Sequence, residues 1–231
     1  MASDLEIIGS ALIFQGLPGQ QIEQVKDVAV SRNYARGELV FMEQDKGNGF
    51  YLVAEGMVKV FKVSPSGKEQ ILHVFGPGEP FGEVPVFSGK RFPANAETIR
   101  KSRLLFFPRT AFLDLITAHP SLALNMLAVL SMRLRQFTNQ VENLSLKEVP
   151  ARLAAYLLYL STEQERDDFV TLHISKGQLA SLLGTIPETL SRILSRMNKQ
   201  GLIETKDRTI RLMNREGLES LSIDGKKSEI T

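Results

Sequence analysis

The chain of 231 residues has no cysteine and no tryptophan, and only three histidines. Without cysteine there is no disulfide, no cysteine-ligated zinc or iron–sulfur cluster, and no thiol nucleophile. No apolar run approaches the roughly 18 residues of a membrane-spanning helix. The opening "MASDLEIIGSALIFQ" carries acidic residues and no basic segment ahead of a long apolar run, so it resembles neither a secretory signal nor an anchor. The expected place is the cytoplasm, with no membrane partner. The net charge of +2 is too small to argue for nucleic acid by itself. Any such signal has to be local.

What is present begins with short strand-like runs between about residues 36 and 108: "ELVFMEQ", "NGFYLVAEG", "MVKVFKV", "QILHVFG", "PGEPFGE", "AETIR" and "SRLLFFP". Strands this short and this closely spaced predict a sandwich or barrel. After Pro108 the period changes from two to that of a helix. From Pro120 to Leu146 there is no glycine, and Ala123, Leu127, Leu130, Leu134, Phe137, Val141 and Leu144 recur at alternating four- and three-residue steps. That heptad seam predicts a homodimer held by a parallel two-stranded coiled coil, with Leu127, Leu130, Leu134, Phe137, Val141 and Leu144 at the contact. The blander alternative is a core helix of one domain. A second stripe, Leu122, Met126 and Val129, suits packing against the barrel.

Between Lys176 and Arg215 eight basic residues face three acidic ones, a local excess of five positive charges. Ser175 with Gln178 reads as a capping box that starts a helix, and Gly184 ends it. Thr185 with Glu188 repeats the device ahead of a second helix, 186–199, with Pro187 in its first turn. Leu190, Ile193, Leu194 and Met197 make an inward stripe, leaving Glu188, Thr189, Ser191, Arg192 and Arg196 outside. "GLIETKDRTIRLMN" then reads as two strands around a turn, a wing. Helix, turn, helix and wing form a major-groove reader. Arg192 suits guanine and Glu188 suits cytosine. Ser191, Thr185, Thr189, Arg196, Lys176 and the wing's Lys206 and Arg208 suit phosphate or base contacts. The competing reading is a solvated helix face with Glu188 and Arg192 paired one turn apart; it leaves the wing unexplained.

These motifs resemble the Crp/Fnr family of bacterial transcription regulators over nearly the whole chain. "ETLSR", Glu188 to Arg192, is similar to the Glu-x-x-Ser-Arg pattern of the Fnr-like branch. The implied fold is α+β, with an N-terminal β jelly-roll barrel like a cyclic-nucleotide-binding domain (1–119), a long dimerisation helix (120–146) and a C-terminal winged helix-turn-helix domain (147–231). The implied partner is double-stranded DNA carrying a palindrome of TGA-containing half-sites, TTGA or TGTGA. RNA polymerase joins it if the protein activates.

The sensor departs from the pattern. "FGEVPVFSGKRFPANAE" keeps Phe81, Gly82 and Glu83, but Phe92 and Pro93 stand where the resemblance places a phosphate-binding Arg and a Ser or Thr. An aromatic and a proline cannot neutralise a buried phosphate. Arg91 is adjacent but, on an alternating strand, would face the other way. Cyclic AMP is therefore disfavoured as the effector. "RFPANAE" resembles the variant in haem-dependent nitric-oxide regulators and in regulators of hybrid-cluster-protein genes, implying nitric oxide or another gas on haem. The axial-ligand candidates are thin. His73 is expected to share a strand face with Ile71 and Phe75, His119 ends a helix, His173 precedes the reading head, and Met42, Met57, Met126 and Met132 read as core. The expected effector pocket comprises Gly82, Glu83, Arg91, Phe92, Pro93 and His73. No metal site is assigned. A regulatory module binding cyclic nucleotides would need the missing Arg, and a cupin-type enzyme would need more histidines than the barrel holds.

Overall fold

The computed structural model describes residues 3–224; the polar tail, expected to lack fixed structure, lies outside the described residues. The chain divides into two compact units, Met1–Arg135 and Gln136–Thr231. That boundary falls inside the long helix.

The first unit opens with helices α1 (Asp4–Ser10) and α2 (Gly19–Val28) around a 3-10 turn (Leu12–Phe14). Eight strands follow: β1 (Val30–Tyr34), β2 (Leu39–Phe41), β3 (Gly49–Glu55), β4 (Val58–Val63), β5 (Glu69–Phe75), β6 (Pro80–Phe81), β7 (Asn95–Thr98) and β8 (Ser102–Pro108). A one-turn helix, α3 (Val84–Ser88), separates β6 from β7, and α4 (Arg109–Ala118) and α5 (Ser121–Leu146) complete the run. The strands form two antiparallel four-stranded sheets, β1-β8-β3-β6 and β2-β7-β4-β5. Alternation along β3 and β8 divides the core in two. Phe50, Leu52, Leu105 and Phe107 face the helices, where Phe14, Phe112, Leu122, Met126 and Val129 cover them. Tyr51, Val53, Leu104 and Phe106 face the other sheet, meeting its Phe41, Val58, Phe75 and Ala96, with Phe81 of β6 and the loop residue Phe92 in the same cluster.

The expected strands are present, and β1 is an addition. "VSRNY" lacks an apolar alternation because β1 sits at a sheet edge, paired with β8 alone and mostly exposed. The second stripe of α5 behaves as expected, with Leu122, Met126 and Val129 buried.

Phe92 is 3% exposed and its ring stacks on Phe41 with centroids 3.7 Å apart at an interplanar angle of 6°. It fills the space between the sheets as a core residue. Phe92→Ala is expected to cost about 3–5 kcal/mol, lowering the melting temperature followed by circular dichroism by roughly 10 °C. A change of a degree or two would show that Phe92 is not packed this way.

The second unit contains the end of α5, then α6 (Val149–Glu163), β9 (Phe169–Thr171), α7 (Lys176–Leu182), α8 (Pro187–Lys199), β10 (Ile203–Lys206), β11 (Thr209–Leu212) and α9 (Arg215–Asp224). Its three strands form one antiparallel sheet in the order β10-β11-β9. No single described helix is long and apolar enough to cross a membrane.

Candidate nucleic-acid interface and sensor site

Helix α7 starts as its sequence predicts. The Ser175 backbone N–H donates to Gln178 Oε1 at 2.8 Å, and the Gln178 N–H donates to Ser175 Oγ at 3.2 Å. It ends in a Schellman motif: Gly184, at φ +67°, donates to Ser181 O, and Thr185 donates to Ala180 O at 2.9 Å. This corrects the expected second capping box. Thr185 belongs to the end of α7, the N-cap of α8 is Ile186, and no side chain caps that helix. Pro187 occupies its first turn, where a missing N–H leaves nothing unpaired.

Leu190, Leu194 and Met197 are buried and hold α8, while Ile193 is only partly so. Glu188, Ser191, Arg192 and Arg196 are exposed along one side, and Lys176 is exposed at the start of α7. Thr189 is half-buried and its Oγ1 accepts from Arg192 Nη2 at 3.2 Å. No Glu188–Arg192 ion pair forms among the described residues, so the solvated-face reading loses the interaction it relies on. The wing is a tight hairpin in which Lys206 pairs with Thr209, Asp207 takes φ +53°, and Lys206 and Arg208 are exposed.

Two further residues position this head. Asn198 ties the wing to α8: its Oδ1 accepts from the Thr205 N–H at 2.9 Å, and its Nδ2 donates to Thr205 Oγ1 at 3.0 Å and Leu194 O at 2.8 Å. Arg152 of α6 donates from Nη1 to Leu183 O at 2.7 Å, bracing the turn between α7 and α8, and its Nε is buried with no hydrogen-bond partner. Burial lowers the affinity of that guanidinium for its proton. No sequence spacing marks either residue, because each acts across a tertiary contact.

The expected effector residues do not converge. Gly82, at φ +74°, lies against the Phe41–Phe92 stack so closely that a Cβ there would sit 3.0 Å from Phe41 and 3.3 Å from Phe92. Arg91 and Pro93 are exposed, correcting their place in a pocket. They lie in a loop rather than on a strand, pinned by the Phe92 N–H to Asp45 O at 3.1 Å, and Arg91 donates to Gln44 O at 2.6 Å. His73 pairs across the sheet with Val60 and Ile71 with the adjacent Phe61, so a register shift puts them on opposite faces. His73 keeps its contact with Phe75, at 4.5 Å between ring centroids, and its Nε2 lies 3.7 Å from Glu79 Oε1. Burial pushes the Glu79 carboxyl up, but bonds from His73 and the Gly76 N–H, with Arg133 nearby, bring it below the usual range. His119 caps the end of α4 and its Nε2 meets Gln24 Oε1 at 2.6 Å.

Glu83 is buried, and its partner was not legible in the sequence. Arg133 of α5 donates to Glu83 Oε1 and to the Pro80 carbonyl, with its guanidinium 5.0 Å from the Phe75 ring centre. The carboxylate of the Phe-Gly-Glu turn is thus satisfied from within the chain.

A jelly-roll sensor followed by a winged helix-turn-helix is the architecture of effector-dependent DNA-binding transcription regulators. Residues 31–119 match the cyclic nucleotide-binding domain family and residues 151–221 the Crp-like helix-turn-helix domain family. The cyclic AMP receptor protein of Thermus thermophilus is 31% identical over 210 residues, 91% of this chain and 96% of that protein. The CRP-like cAMP-activated global transcriptional regulator of Mycobacterium tuberculosis is 30% identical over 217 residues, 92% of this chain and 97% of that one. The structure of FixK2 from Bradyrhizobium japonicum is similar with a TM-score of 0.77 at 26% identity, covering 86% of this chain and all of that one. The chain belongs to the Crp/Fnr family of transcription regulators. Its relatives regulate transcription and the family is not enzymatic.

Proposed function

We propose that the protein acts as a homodimer that reads a palindrome of TGA-containing half-sites through α8, under control of a signal other than a cyclic nucleotide. The observation that carries the reading is the exposed side of α8: Glu188, Ser191 and Arg192 hold no core contact, while the buried stripe behind them fixes the helix. In the major groove Arg192 donates to guanine O6 and N7 and Glu188 accepts from the cytosine amino group. Lys206 and Arg208 on the wing contact phosphates, as does Lys176. A two-fold axis through α5 sets two heads on half-sites about one DNA turn apart.

The residues of the sensor narrow the signal. Phe92 occupies core space where the resemblance places a phosphate-binding Arg, and the Glu83 carboxylate is paired with Arg133, which supports a signal other than a cyclic nucleotide. A haem does not fit these residues either. Both imidazoles of the sensor unit are engaged, His73 beside Glu79 and His119 on Gln24, and the stacked rings of Phe41 and Phe92 fill the space beside Gly82. No step of the mechanism passes through a haem.

The Thermus thermophilus and Mycobacterium tuberculosis relatives are named for cyclic AMP, which makes it the second reading. Fluorescence anisotropy on a TGA palindrome and a scrambled duplex at matched salt tests the first. Binding at least tenfold tighter to the palindrome is expected, and equal affinity would remove the DNA reading. Calorimetry with cyclic AMP tests the second; micromolar binding would overturn the argument from Phe92.

A further inference from the structure

Given the DNA reading above, on which this rests, we infer that Asn198 is a positioning residue for DNA binding. Its carboxamide sets how far the wing reaches from α8, and so whether Lys206 and Arg208 meet phosphates while Arg192 reads a base. Just past the end of α8, Gly201, at φ +67°, reverses the chain in a Schellman motif. The Gly201 N–H donates to Asn198 O and the Leu202 N–H to Met197 O, each at 3.0 Å. Strand β10 therefore runs back beside α8 and brings Thr205 to Asn198, seven residues away in the chain.

The sheet β10-β11-β9 has two edges, and a side-chain amide closes each of them. On β9, Gln164 Oε1 accepts from the Thr171 N–H at 2.8 Å and Nε2 donates to Thr171 O at 2.9 Å. On β10, Asn198 Oδ1 accepts from the Thr205 N–H, and Nδ2 donates to Thr205 Oγ1 and to Leu194 O. The two amides differ in what they hold. Gln164 is the C-cap residue of α6. Asn198 belongs to α8 itself, six residues after Arg192 and so about 9 Å along the helix axis, and Thr205 directly precedes Lys206. Lys206, Asp207 and Arg208 are all exposed, so the wing tip has no core of its own to orient it. From the far side the Leu172 N–H donates to Arg208 O at 2.7 Å, which leaves the tip held between β9 and α8. Two bonds to Thr205 and one back to its own helix give the Asn198 carboxamide a single orientation. The offset between the base-reading arginine and the phosphate-contacting cations is fixed through it.

The experiment measures duplex affinity against salt for Asn198→Ala, alone and combined with Lys206→Ala, with Gln164→Ala as control. Alanine suits a helix better than asparagine, so α8 itself should persist. Asn198→Ala is expected to weaken palindrome and scrambled duplex together and to lower the salt dependence by at least about one unit of slope. The loss should accordingly be at least about threefold greater at 50 mM than at 200 mM salt. Adding Lys206→Ala to Asn198→Ala should weaken binding by less than about twofold more, because a contact the wing no longer reaches cannot be lost again. Gln164→Ala removes the same kind of edge bond from the same sheet. It should lower the melting temperature about as much as Asn198→Ala and leave affinity and salt slope within error of wild type. Preference of the wild-type protein for the palindrome separates failure of this inference from failure of the DNA reading. The role of Asn198 is overturned if Asn198→Ala changes thermal stability alone, if its effect multiplies with that of Lys206→Ala, or if Gln164→Ala weakens DNA binding equally.

Discussion

Replacing Arg192 by alanine is expected to weaken binding to the TGA palindrome by at least roughly 30-fold. A bidentate guanidinium–guanine contact contributes about 1–3 kcal/mol of discrimination, and a homodimer loses one at each half-site. Arg192 is exposed on α8 and donates to the Thr189 hydroxyl, which is itself only half-buried, so removing it leaves no buried group unsatisfied. Melting temperature should be unchanged. The loss should concentrate on operators with guanine at the contacted position, flattening preference there. Lys206→Ala provides the contrast. A phosphate contact carries no sequence information, so all duplexes should weaken together and the salt dependence should fall by about one unit of slope. Uniform weakening by Arg192→Ala would move that residue from base reader to phosphate contact.

The double substitution Leu127→Asp with Leu134→Asp is expected to convert the protein to a monomer in sedimentation experiments. Leu127, Leu134, Phe137 and Val141 are 59%, 69%, 45% and 63% exposed in the single chain, although each is a large apolar residue at heptad spacing. A contiguous apolar seam of that kind is a surface suited to a partner. Two carboxylates placed on it would face two more across the axis. Linking two heads raises operator affinity by about 10²–10⁴ over one head alone, so that factor should disappear with the dimer. The barrel should survive, because Leu122, Met126 and Val129 on the neighbouring stripe are untouched. A dimer that persists with unchanged affinity would place the contact elsewhere on the molecule.

Much of the reading head was legible because its signals are local. The Ser175–Gln178 box, the Gly184 stop, Pro187 in the first turn of α8 and the apolar stripe behind Arg192 all lie within one or two helical turns of what they specify. The second capping box failed for a local reason too: Thr185 closes α7 through its backbone N–H and lies one residue too early to cap α8. The strands of the barrel showed in their alternation, except β1, an exposed edge with little apolar surface to reveal it. His73 was assigned a face by counting in twos, and a register shift within β4–β5 undid the count.

By itself the sequence determined the class of protein: a strand-rich sensor, a heptad-bearing helix and a winged head whose recognition residues are free of the core. It also ruled out cysteine chemistry, and it marked Phe92 as a replacement for a phosphate-binding cation. Only the tertiary structure decided what the sensor does with that replacement. Phe92 became core, Arg91 and Pro93 turned outward, and Glu83 met a guanidinium fifty residues away. The physical reason is range: caps, stripes and turns are written in neighbouring residues, whereas the partner of a buried carboxylate depends on which helix the fold brings to it.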